Sequence, residues 1–180
     1  MILLIGKLKN IKIMKKILYP LLVIIIASFV RLLPHPPNFS PIAAMALFGG
    51  VYLSKKYALI IPIIALFISD IFLGFHSTIP FVYGSFLLTG LIGLWLKKHQ
   101  DFKSIVLGTL LSSILFFIIT NFGVWLVGNL YQKNLVGLAQ SYIMAIPFFR
   151  YTLVGDLFFT GIFFGSYQTV FSKKFNKAIE

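Results

Sequence analysis

Cysteine is absent from this 180-residue chain, and only four acidic residues stand against sixteen lysines and arginines. Without cysteine there is no disulfide, no thiolate nucleophile, no cysteine-ligated iron–sulfur cluster and no thiolate-held metal. The sequence also lacks a Gly-rich phosphate loop, an ATPase motif, a Ser-His-Asp arrangement, paired acids on one helical face, an internal repeat and any low-complexity region. Catalysis has no evident vehicle. The expectation is a protein that binds without catalysing and needs no cofactor. Charged residues of every kind make up only 11% of the chain, while 59% is apolar and mean hydropathy is strongly positive. A soluble fold of this length has too little interior for that much apolar surface, so lipid must solvate part of it.

A net charge of +12 would suggest nucleic acid in a soluble protein. Here the lysines are confined to short runs between apolar segments, which is a topology signal and argues against a nucleic-acid partner. Apolar runs fall at about 17–33, 41–54, 57–75, 79–96, 104–127 and 152–171. Most can cross a hydrocarbon core of about 30 Å at about 1.5 Å per residue. The second run is short, and a re-entrant path is the alternative. Six crossings put thirteen of the sixteen basic residues on one face and leave Arg31, Lys133 and Arg150 on the other. A re-entrant second run would place Lys55 and Lys56 outside and invert every later loop. The expected fold is therefore all-α, a polytopic bundle of six short transmembrane helices with both termini in the cytoplasm.

Three regions follow from this partition. Residues 1–16 form a cationic cytoplasmic segment suited to anionic lipid, unless Met14 is the true start. Residues 17–172 form the transmembrane domain, and 173–180 a cationic cytoplasmic tail. Within the domain, Asn134–Tyr151 reads as one long connection lying on or dipping into the outer interface.

The unusual polar residues converge on the lysine-poor leaflet. Arg31, His35 and Asn38 fall in the first outward loop, and Asp70 and His76 at the outer end of the third span. Thr120, Asn121 and Trp125 close the fifth, and Arg150 with Asp156 enters the sixth. A carboxylate in a span needs a partner or water, and Arg31 and Arg150 are the available cations. The expectation is a ligand-sized chamber open to the outside and walled by Phe72, Phe75, Phe81, Tyr83, Trp125, Phe148 and Phe149, with Tyr83 and Trp125 the aromatic residues singled out for contact. Other readings stand beside it. Asp156 can cap its helix, Asp70 can be structural, and His35, between prolines, can be a solvated loop histidine. A metal or catalytic role for His35, His76 and Asp70 fits by residue type but has no ligand spacing behind it. Small residues crowd the second run, with Ala43, Ala46 and Gly50 on one short helix. That spacing lets helices approach closely, either for internal packing or for docking a separate membrane subunit.

The strings RLLPHPPNFSPIAAMALFGG, SDIFLGFHSTIPFVYGSF, TNFGVWL and IPFFRYTLVGDLFFTGIFFG resemble a family of small bacterial membrane proteins of unassigned function. More distantly, they resemble the substrate-binding S components of energy-coupling-factor vitamin transporters. The similarity covers about residues 28–166. It implies a protein of the bacterial inner membrane that captures a vitamin or cofactor precursor beneath a lid formed by the first outward loop. Release inward would be coupled to a transmembrane subunit with paired ATPases. The solitary cobalamin-type members look closest, and His35, Asp70, Tyr83 and Arg150 suit the ligand-facing positions such a protein would use. Since no thiolate can ligate cobalt here, His35 or His76 would have to substitute. The competing classes are an intramembrane enzyme acting on a lipid or isoprenoid head group through Asp70, His76 and Asp156, and a scaffold subunit without a ligand.

Overall fold

Every apolar run becomes a helix, because only a helix satisfies its own backbone groups in a medium without water. The computed structural model describes residues 2–171, the side chains of 2–13 excepted. It contains α1 (Ile2–Val30), α2 (Ile42–Tyr52), α3 (Lys55–Ala58), α4 (Ile60–Leu73), α5 (Ile79–Leu96), α6 (Phe102–Val127) and α7 (Leu135–Phe171). No strand occurs among the described residues. Four helical stretches, counting Lys55–Leu73 as one, are long and apolar enough to cross a membrane. The expected all-α membrane bundle is the observed architecture. The tail expected over 173–180 lies outside the described residues.

The shortest apolar helix is also the most enclosed. Ten of the eleven residues of α2 are buried, surrounded by α1, α4, α5, α6 and α7. A helix apolar on every side has no face to give to water and is stable only when wrapped. The contact with α5 is made backbone to backbone. A Cβ built on Gly50 would stand 2.6 Å from Gly93 Cα and 2.7 Å from Gly90 O, so only glycine permits this approach. Ala43 and Ala46 are buried on the same helix. The small residues therefore serve internal packing, and they leave no exposed stripe for a docking subunit.

The two ends of the bundle differ in charge. Lys97 donates to Leu53 O at 2.7 Å, which brings the α2–α3 and α5–α6 connections, with Lys55, Lys56, Lys97 and Lys98, to one end. The other end of α2, at Ile42 and Ala43, opens on a cavity. The chain thus passes through the bundle from one end to the other and does not turn back. At the lysine end Asp101 caps α6, accepting from Ser104 N–H at 3.0 Å and from Ser104 Oγ–H at 2.7 Å. The Ser104 amide, aided by its hydroxyl, holds the exposed Asp101 carboxyl below its ordinary range.

One expectation fails. Asn134–Tyr151 is not a connection but, from Leu135 onward, the first part of α7, a single helix of 37 residues with Pro147 inside it. Asn134 Oδ1 starts the helix by accepting Gly137 N–H at 2.8 Å. Pro147 costs the helix its own bond to the preceding turn and crowds the carbonyl there, and α7 is continuous across it. At about 1.5 Å per residue such a helix is about 55 Å long, well beyond an apolar core of about 30 Å. Its first turns therefore reach past the core on the lysine-poor side.

Candidate functional site

A cavity of about 690 Å³ opens at the lysine-poor end. The α1–α2 loop forms one wall through Arg31, His35, Asn38 and Ser40, and His76 and Thr78 of the α4–α5 connection form a second. Val82 and Phe86 of α5, Phe116, Phe117, Thr120 and Asn121 of α6, and Phe148, Phe149, Thr152 and Asp156 of α7 complete it. Ile42 and Ala43 of α2 also face it. Apolar rings and a few polar groups thus meet in a space of the size small-molecule sites use.

The loop wall is shaped by four prolines and by Asn38, the one non-glycine residue with positive φ among the described residues, at 63°. Asparagine tolerates this left-handed region better than other L residues. His35 bridges the loop, with Nδ1 2.9 Å from Pro36 O and Nε2 3.2 Å from Arg31 O. Where α4 ends, Gly74 at φ 93° turns the chain, and its N–H donates to Asp70 O at 2.8 Å. The connection that follows carries His76, whose Nδ1 lies 2.7 Å from Thr78 Oγ1.

Arg31 is fixed from behind. Its Nη1 lies 2.6 Å from Asp70 Oδ1, with side-chain exposures of 12% and 3%, and also contacts Ser69 Oγ and Leu66 O. Tyr83 on α5 donates to Asp70 Oδ2 at 2.7 Å. Two buried charges cancel, with the Tyr83 hydroxyl donating to the second carboxylate oxygen and Ser69 Oγ accepting from the guanidinium. Across the cavity Asp156 has no such partner. It is 3% exposed and accepts from Ser113 Oγ on α6 at 2.6 Å.

Six of the ten expected residues line the cavity: Arg31, His35, Asn38, His76, Asn121 and Asp156. Asp70 and Tyr83 stand behind Arg31 and position it. Two expectations are corrected. Trp125 lies outside the cavity, its indole Nε1 donating to Gln132 O at 2.9 Å, which ties down the α6–α7 connection. Arg150 is exposed and does not pair with Asp156. Six residues along a helix amount to about 240° of rotation, so the two side chains point in different directions. The expected wall changes accordingly. Phe72 and Phe75 are largely exposed, where lipid would meet them, and Phe81 packs on Phe122. Phe86, Phe116 and Phe117 take their places. Among the described residues no group of three or more His, Asp or Glu is placed to hold a metal ion, so His35, His76 and Asp70 do not form a ligand set.

Sequence reasoning missed Ser69, Ser113 and Thr152. A signal existed for Ser113, since Thr109, Ser112, Ser113 and Thr120 recur at helical spacing on one face of α6.

Over residues 11–178 the sequence matches a family described as a family of unknown function, DUF6580. The chain belongs to this family. The match takes in all the cavity-lining residues, so the chamber lies wholly within the DUF6580 region. No curated protein and no solved structure matches the chain.

Proposed function

We propose that this protein captures a small vitamin-like molecule at the outer face of a bacterial cytoplasmic membrane and delivers it inward, in the manner of an S component. The cavity carries the reading: about 690 Å³, bounded by the α1–α2 loop, the α4–α5 connection and five helices, with aromatic rings and sparse polar groups side by side in its walls. The positive-inside partition directs its mouth outward. Arg31 commits Nη1 to Asp70, Ser69 and Leu66 and keeps Nη2 and Nε for a ligand. Asn38, Asn121 and His76 add donors and acceptors around the rim. The α1–α2 loop is the lid.

A volume of about 690 Å³ suits a compact vitamin or cofactor precursor of one or two rings. A complete corrinoid is bulkier than the drug-sized ligands such sites enclose, which ranks it behind smaller candidates. Because the sequence has no ATPase motif, inward release draws on a transmembrane coupling subunit with ATPases or on the ligand's own gradient.

Thermal unfolding in detergent against a panel of vitamins and their precursors tests this. The true ligand at about a hundred times its Kd stabilises the protein by about 2.7 kcal/mol, a shift of several degrees, and Thr120→Trp, which puts an indole into the cavity, abolishes the shift. A panel in which every stabilising compound acts equally on Thr120→Trp refutes binding in this cavity.

A further inference from the structure

The two buried carboxylates are not equivalent. Asp70 meets a guanidinium and a phenol. Asp156 meets one serine, although it is as deeply buried, and the only ion pair among the described residues is Arg31–Asp70. The groups around Asp156 supply no missing cation. Arg31 is committed to Asp70, His35 has both ring nitrogens at backbone carbonyls, and His76 has Nδ1 at the Thr78 hydroxyl. Tyr83 on α5 donates to Asp70. The part of α6 facing Asp156 brings only hydroxyls, and α2 brings only apolar side chains. Arg150 and Tyr151 on α7 itself are exposed.

The serine contact is itself informative. Ser113 Oγ lies 2.6 Å from Asp156 Oδ2 and 3.0 Å from Thr109 O, and a hydroxyl has one hydrogen to give. With a bare carboxylate, one of the two contacts lacks a full hydrogen. With a carboxylic acid, Asp156 O–H donates to Ser113 Oγ and Ser113 O–H donates to Thr109 O, and both become hydrogen bonds. The chain of hydroxyls continues below, where Thr109 Oγ1 lies 3.4 Å from Thr160 Oγ1 and donates to Ile105 O.

We propose that Asp156 is a proton-binding site in the floor of the chamber, holding its proton on the oxygen that faces Ser113 and exchanging it with the cavity that Asp156 lines. The proton comes from water in the chamber and returns to it; no other bond is made or broken. Its link to transport rests on the capture reading. With Arg31 and Asp70 cancelling, a protonated Asp156 leaves the chamber without net formal charge, so a neutral ligand that expels the water binds together with a proton.

The chain has only four carboxyl side chains, Asp70, Asp101, Asp156 and Glu180, which makes the test direct. Dicyclohexylcarbodiimide, an apolar reagent that modifies protonated carboxyls, is applied to the full chain in liposomes over a pH series, and labelled peptides are identified by mass spectrometry. The expected result is labelling of Asp156 and not of Asp70, falling as pH rises. In Ser113→Ala, which removes the donor to the charged form, labelling persists to higher pH. Infrared spectra should show a protonated carboxyl band that vanishes in Asp156→Asn, a variant that can keep the Ser113 contact and so the fold. Equal labelling of Asp70 and Asp156, no labelling of Asp156 at any pH, or a carboxyl band unchanged in Asp156→Asn overturns the proposal. None of these readouts requires the ligand, so a failed ligand search leaves them standing.

Discussion

Arg31, directly after the last turn of α1, and Asp70 on α4 meet at 2.6 Å, and Tyr83 on α5 closes the same carboxylate at 2.7 Å. Three helices are thereby fixed to one another beside the chamber. Removing one partner leaves a buried charge uncompensated, at a cost of about 3–5 kcal/mol. Arg31→Met should therefore lower stability by that order in detergent unfolding. Arg31→Met combined with Asp70→Leu should recover much of the loss, since an apolar pair leaves no orphaned charge. A double variant that loses the sum of the two singles would show that the sites do not interact.

Packing of α2 on α5 depends on missing side chains. Gly50→Ala places a Cβ 2.6 Å from Gly93 Cα and must push the helices apart, at about 1–3 kcal/mol for an overpacked contact. Gly84→Ala on α5 meets nothing within 4 Å and should stabilise the protein by up to about 1 kcal/mol through helix propensity. Chemical denaturation of the two variants side by side separates crowding at one contact from a general effect of alanine in a helix.

Acid should release the α6 cap. The Asp101 carboxyl is held below its ordinary range by the Ser104 amide, so its contribution is fully present above the unfolded carboxyl range, near pH 3.9. It is lost as pH falls through the lower folded value. Asp101→Ala should be less stable than the wild type at neutral pH, and the gap should close in strong acid. Melting temperatures of both proteins across a pH series check this. A gap independent of pH would mean that the carboxylate charge plays no part in the cap.

Much of this was legible in the sequence because the bilayer acts on long stretches. Runs of about twenty apolar residues and the partition of lysines need no knowledge of packing, and they located the spans and the polar end. That Asp70 needs a partner, with Arg31 one of two available cations, is legible as well, since a charge in a low-dielectric region must be compensated; that Arg31 is the partner comes from the structure. Which cation, if any, meets Asp156 stays open in the sequence, because its partner, Ser113, lies 43 positions away. Such a pairing depends on the rotation of α6 against α7. The stretch around Pro147 reads in the sequence as an apolar connection, yet α7 continues through it.

The central claim is that the chamber holds a small molecule. The measurement that tests it most directly is mass spectrometry of small molecules retained after mild detergent purification from the native membrane, comparing the wild type with Thr120→Trp, which puts an indole into the cavity, and Arg150→Ala, which leaves it untouched. The account predicts a stoichiometric compound of vitamin size in the wild type and in Arg150→Ala, absent from Thr120→Trp. Three identical profiles, containing phospholipid alone, would contradict it.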